Sequence, residues 1–113
     1  MNADEFQKAA NRTFIDIPSV DLSLSEEYLV RHALGLAGEA GEVVDYIKKG
    51  VFHRHGIDPK KVEDELGDVL WYIAEIATIL GLSMSDIMQN NVNKLMKRYP
   101  NGFTIEDSIN RKE

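Results

Sequence analysis

The chain has 113 residues, no cysteine, and 13 basic against 19 acidic side chains, for a net charge of −6. That length fits one domain, the missing thiols exclude disulfides and thiolate chemistry, and the acidic balance argues against duplex nucleic acid as a partner. No apolar run approaches the roughly 20 residues of a membrane span, and the polar residues 1–10 make no secretory signal, so a cytoplasmic chain with no membrane partner is expected.

In chain order, residues 3–14 read as a short helix with Phe6, Ala9, Ala10 and Phe14 on one side and Asn2 as its cap. Residues 15–21, with Pro18 and Ser19, read as a loop. Ser23 followed by Glu26 matches a capping box. From Leu24 to about Lys49 the helical pattern continues through Tyr28, Leu29, Leu36, Val43, Val44 and Ile47, a long helix for so small a domain. Within it Gly35, Gly38 and Gly41 recur every three residues, and each costs about 1 kcal/mol relative to Ala. Their shared flank implies a close approach by another helix or by a ligand. Residues 50–57 break the pattern, and Asp58-Pro59 opens a helix running to about Leu80 and stopping at Gly81. Ser83 caps a fourth helix that ends before Pro100. The polar tail beyond it has few anchors (Phe103, Ile105, Ile109) and is expected to fray or dock on a neighbour. No alternating strand pattern stands out, so the fold class is all-α: four main helices, with apolar positions that do not all fit one face and call for a second copy.

Two acidic pairs stand about 20 residues apart, Glu39-Ala40-Gly41-Glu42 and Glu65-Leu66-Gly67-Asp68. On a helix each i, i+3 pair is separated by about 60° around the axis and about 4.5 Å along it. Apolar neighbours (Leu34, Leu36, Val43, Val44, Leu66, Val69, Leu70, Trp71) imply that both pairs face inward or line a cleft. An antiparallel pair of helices would bring them opposite each other, and converging carboxylates then need protons, cations or a metal. All-oxygen donors favour Mg²⁺ or Mn²⁺ over zinc. No Glu-x-x-His, His-Glu-x-x-His, EF-hand loop or phosphate-binding Gly-x-x-x-x-Gly-Lys is present.

Asn91, Lys94 and Arg98 form one stripe on the fourth helix with Tyr99 directly after, an arrangement that could hold phosphate oxygens or simply satisfy a helix C-terminus. Lys48 and Lys49 have the same two readings. His32, seven residues before Glu39, is either a structural histidine or a contact for a base or ribose. Trp71 and Tyr72, just after Asp68, either pack in the core or stack on a base.

The stretches Leu34-Gly35-Leu36-Ala37-Gly38-Glu39-Ala40-Gly41-Glu42-Val43, Glu65-Leu66-Gly67-Asp68-Val69-Leu70-Trp71 and Asn91-Val92-Asn93-Lys94-Leu95-Met96-Lys97-Arg98-Tyr99-Pro100 closely resemble the MazG-like nucleotide pyrophosphohydrolases of the all-α NTP pyrophosphatase superfamily. The resemblance makes residues 1–113 a single domain with a motif core at about 24–103 and a tail at 104–113. It implies Mg²⁺-dependent cleavage of a nucleoside triphosphate to monophosphate and pyrophosphate, as in nucleotide-pool house-cleaning, by a homodimer or homotetramer. It makes Glu39, Glu42, Glu65 and Asp68 the metal ligands, Asn91 and Lys94 substrate contacts, and Arg98 and Tyr99 their support. A metal-activated water would attack, with Glu39 or Glu42 as the base. Two alternatives stay open: a phosphoribosyl-ATP pyrophosphohydrolase sharing the acidic pattern, and a non-catalytic helical dimer that binds a nucleotide or a protein.

Overall fold

The computed structural model describes residues 1–15 and 23–111. The expected loop at 15–21 falls almost wholly outside them. The described chain is 78% helix with no strand among the described residues. Helix α1 spans Ala3–Ala10 and runs into a 3₁₀ turn at Asn11–Thr13; α2 spans Leu24–Phe52, α3 Pro59–Ile79, α4 Met84–Arg98 and α5 Ile105–Ile109.

Local chemistry sets these boundaries. Asn2 Oδ1 accepts the Glu5 N–H at 2.8 Å, and Ser83 Oγ accepts that of Asp86 at 3.1 Å. Asp58 caps α3 with Pro59 in its first turn. Ser23 Oγ accepts the Glu26 N–H at 3.3 Å and donates to the Glu26 carboxylate at 2.6 Å, so the box closes through the two side chains. Gly81, at φ 71°, ends the α3 region in the left-handed conformation that glycine favours. The long helix continues to Phe52, past the expected end near Lys49; within its last turn the Gly50 Cα faces Ile57 and the Gly56 carbonyl, where a side chain would not fit. The tail forms a short exposed helix, α5, capped by Thr104, which accepts the Asp107 N–H at 3.0 Å.

Helices α2 and α3 form an antiparallel hairpin. Approaches between them run Gly50 to Ile57, Tyr46 to Asp58, Glu39 to Asp68, Gly35 to Tyr72 and His32 to Glu75, falling along one helix as they rise along the other. The glycine stripe resolves unevenly. A Cβ at Gly35 would collide with the Tyr72 ring, whereas Gly38 and Gly41 have nothing beside them.

The small core lies elsewhere, where α1 crosses α3 and the start of α4. Ala10, Ala74, Ala77 and Met84 are buried there, with Phe6, Trp71 and Ile73 packed against them. Ala9, expected on the same side, is exposed. The α1 side chains tie the α3–α4 corner: Gln7 donates to Thr78 Oγ1 and the Leu82 carbonyl and accepts from the Met84 N–H, while Asp4 accepts from Ser85 N–H and Oγ. Helix α4 leaves that corner bent by 103° from α3. Its Ile87, Met88, Val92, Leu95 and Met96 are exposed. The radius of gyration is 17.5 Å, against about 13 Å for a compact domain of this length. No single helix among the described residues is long and apolar enough to cross a membrane.

Candidate functional site

Midway along the hairpin, Glu39 of α2 and Glu65 and Asp68 of α3 each offer one carboxylate oxygen within 4.8 Å of the others. The i, i+3 spacing of Glu65 and Asp68 puts both on the α3 face that meets α2. Glu39 and Glu65 are half-buried and Asp68 is exposed. Partial burial first, then the negative charges of Asp68, Glu65 and Glu42, hold the Glu39 carboxyl above its ordinary pKa. Glu42, expected as a fourth ligand, stands just outside this trio, one turn along α2. It lines a neighbouring recess of about 180 Å³ with Asp45, Tyr46, Lys49, His55, Lys61 and Glu65.

Four of the eight apolar neighbours that implied an inward-facing site point elsewhere. Leu34 is 69% exposed and Val44 66%, and Leu66 and Leu70 are also exposed. They occupy other faces of the same two helices, which nothing among the described residues covers. Within one chain the acids therefore lie at an open crossing.

Three cations temper the acids. Lys61 Nζ lies 3.1 Å from Glu65, one turn apart on α3, and Lys49 and Lys48 Nζ lie 2.8 and 3.2 Å from Asp45. The contact with Glu65 raises the Lys61 pKa, and that with Asp45 raises the Lys49 pKa. Lys61 was legible as an i, i+4 partner of Glu65, although the acidic motif draws attention away from it.

An aromatic wall adjoins the trio. A recess of about 310 Å³ is lined by Thr13, Glu39, Asp68, Trp71 and Tyr72. A second, of about 200 Å³, is lined by Ile15, Arg31, His32, Trp71 and Tyr72. Trp71 and Tyr72 thus belong to both. Trp71 is fixed by its indole N–H, which donates to the Ala10 carbonyl at 3.0 Å and to Thr13 Oγ1 at 2.8 Å. The His32 ring lies near-parallel to Phe14 (centroids 5.3 Å, planes 5° apart) on one hand and to Trp71 (5.6 Å, 24°) on the other. It is 7% exposed, and its Nδ1 lies 2.6 Å from the Tyr28 carbonyl. Burial pushes its pKa down, with the nearby Glu75 charge pulling part of the way back. Thr13, Arg31 and Glu75 were not singled out in the sequence; only their positions relative to Trp71 and His32 reveal them.

The α4 residues are not at this crossing. Asn91 and Lys94 line a separate recess of about 520 Å³ with Gly81, Leu82, Ser83, Asp86, Ile87 and Asn90, none of which lines the recesses around the trio. Tyr99 packs on Phe103 with ring centroids 5.3 Å apart. Arg98 stands at the α4 C-terminus, half-buried.

An antiparallel helical hairpin with opposed acidic pairs at its crossing defines an all-α protein with a candidate centre for a hard cation. Residues 29–103 match the MazG nucleotide pyrophosphohydrolase domain, and the chain belongs to that family. It is 36% identical over 115 residues to the Gene 37 protein of Mycobacterium phage L5, a match covering 98% of this chain and all of that protein. No solved structure matches it significantly.

Proposed function

We propose that this protein hydrolyses a ribo- or deoxyribonucleoside triphosphate to the monophosphate and pyrophosphate with Mg²⁺, or Mn²⁺ in its place, as a cytoplasmic house-cleaning activity on the nucleotide pool. The observation that carries this reading is the convergence of Glu39, Glu65 and Asp68 within 4.8 Å, in a family of nucleotide pyrophosphohydrolases. The donor set fits a hard divalent ion: three carboxylates, no sulfur or imidazole among them, and a Glu39 proton affinity already raised by partial burial and then by the neighbouring acids. Glu39, Glu65 and Asp68 would hold the ion, with Glu42 as the fourth ligand. When bound, the ion neutralises phosphate charge and makes a coordinated water more acidic.

The chain's own residues supply the rest. Glu39 or Glu42 takes the proton of the attacking water. Trp71 and Tyr72 offer ring surface for the base beside Asp68, with His32 behind Trp71. Asn91, Lys94, Arg98 and Tyr99 are assigned to the outer phosphates. Because Asn91 and Lys94 line another recess in their own chain, a second copy brings them to the crossing, in a homodimer or homotetramer that also covers the apolar faces of α2, α3 and α4. Water oxygen bonds to the α-phosphorus, the bridge to the β-phosphorus breaks, and pyrophosphate, gripped as a unit, leaves as a unit.

The test is a panel of the common ribo- and deoxyribonucleoside triphosphates with Mg²⁺, with products separated by chromatography. Monophosphate and pyrophosphate are expected, with label from ¹⁸O-water in the monophosphate. Diphosphate and orthophosphate would overturn the reading. Light scattering should report a dimer or tetramer; a stable monomer at micromolar concentration would remove the second copy from the site.

A further inference from the structure

Glu75 is the one large side chain among the described residues that is fully buried, and neither of its carboxylate oxygens has a hydrogen-bond partner. The chemistry assigned above does not use it. An ionised carboxylate in such a place has no compensation, so it is held as the neutral acid, and a neutral acid carries an O–H that needs an acceptor. The group that acts on it electrostatically is His32, and the Tyr28 hydroxyl is likewise buried and unpartnered. The His32 Nδ1 lies 2.6 Å from the Tyr28 carbonyl. A carbonyl only accepts, so Nδ1 carries the hydrogen, and in the neutral ring Nε2 is left as a lone-pair acceptor. The requirement of the acid and the capacity of the imidazole are complementary. The ring between them sits in the Phe14–His32–Trp71 stack, whose last member walls both recesses beside the acidic trio.

We propose that Glu75 is a positioning residue: as a neutral acid it donates to His32 Nε2, fixes the Nδ1–H tautomer and ring plane, and through the stack sets Trp71 as the wall against which substrate binds. His32 then contributes a flat, uncharged spacer, with both ring nitrogens engaged inside the protein. Both Glu75 oxygens are free to take up that bond, and as the neutral acid Glu75 adds no charge to the core. The inference rests on the proposed function only in making Trp71 a substrate wall.

The experiment compares the full-length protein with Glu75→Gln, which keeps a donor, and Glu75→Leu, which keeps bulk without one. Long-range ¹H–¹⁵N spectra at pH 7 should show His32 as the Nδ1–H tautomer in the wild type and in Glu75→Gln, resolved from the exposed His53 and His55. In Glu75→Leu that signature should be lost, and the emission of Trp71, the sole tryptophan, should shift. With the best nucleotide of the panel, KM should rise about 10-fold in Glu75→Leu with kcat little changed, the cost of a misplaced wall. Glu75→Gln should restore wild-type KM. Melting of Glu75→Leu at or above the wild-type temperature separates this from unfolding. An imidazolium or Nε2–H tautomer in the wild type would overturn the proposal without any variant. An unchanged KM in Glu75→Leu, or equal losses in both variants, would overturn it too. If no nucleotide is turned over, the proposed activity fails, while the tautomer and Trp71 emission still decide the role of Glu75.

Discussion

Asp68 and Glu75 are seven residues apart on one face of α3, yet they inhabit opposite environments. Asp68 is exposed and shares its surroundings with Glu39 and Glu65; Glu75 is 0% exposed with neither oxygen partnered. A carboxyl is pushed above its ordinary pKa in both places. At Glu39, like charges add to partial desolvation; at Glu75, desolvation dominates and His32 works against it. Crowded charge at an open crossing is relieved by a cation from solvent, whereas an acid sealed in the interior is relieved by a proton. Two turns of one helix thus separate a place suited to metal from a place suited to a neutral hydrogen bond.

The contrast breaks most visibly if metal binding fails to follow the open acids. Glu65→Gln with Asp68→Asn should weaken Mn²⁺ binding in calorimetry by more than about 100-fold, beyond what loss of an outer partner costs. Glu75→Leu should leave it within about 2-fold, since distant sites act independently. Glu39→Gln should lower kcat by at least about 10²-fold as ligand or base.

Next in size is the close approach between the helices. Gly35→Ala forces a methyl into the Tyr72 ring and should cost about 1–3 kcal/mol in urea unfolding. Gly38→Ala, with open space beside it, should gain about 0.5–1 kcal/mol. A loss at Gly38 would mean that another chain packs there.

A smaller effect concerns pH. The Glu75 pKa is raised in the folded state, so between its unfolded and folded values the native protein binds the extra proton. Stability therefore falls as pH rises through that window and is recovered in acid. The melting temperature of the wild type relative to Glu75→Gln, neutral at every pH, should be lower at pH 7.5 than at pH 4.5. A constant difference would show that Glu75 does not titrate on unfolding. Smallest of all, Lys61→Met should leave stability almost unchanged, because the pair with Glu65 is solvent-screened, and should raise Mn²⁺ affinity a few-fold at most by removing a competitor.

The helices were legible because their ends are written locally, by Asn2, Ser23, Asp58-Pro59, Ser83 and Gly81. The acidic trio was legible for a related reason: i, i+3 spacing fixes which helix face a side chain occupies without reference to the rest of the fold. Long-range relations were not. A glutamate in an apolar helix reads as a surface residue, and only tertiary packing around α3 seals Glu75. Three glycines at equal spacing look equivalent until Tyr72 is placed against one of them. Asn91 and Lys94 of the expected stripe line one recess, but the 103° bend between α3 and α4 that keeps them from the acids depends on tertiary packing at the α3–α4 corner.

That corner behaves as a bracketed joint. Asp4 and Gln7 reach from the first helix to Thr78, Leu82, Met84 and Ser85, spanning the bend like a gusset. A short N-terminal helix is thereby tied to the root of the arm that carries the basic stripe. Because α4 is 15 residues long, about 22 Å, a small turn at this joint would swing the far end of that arm the most.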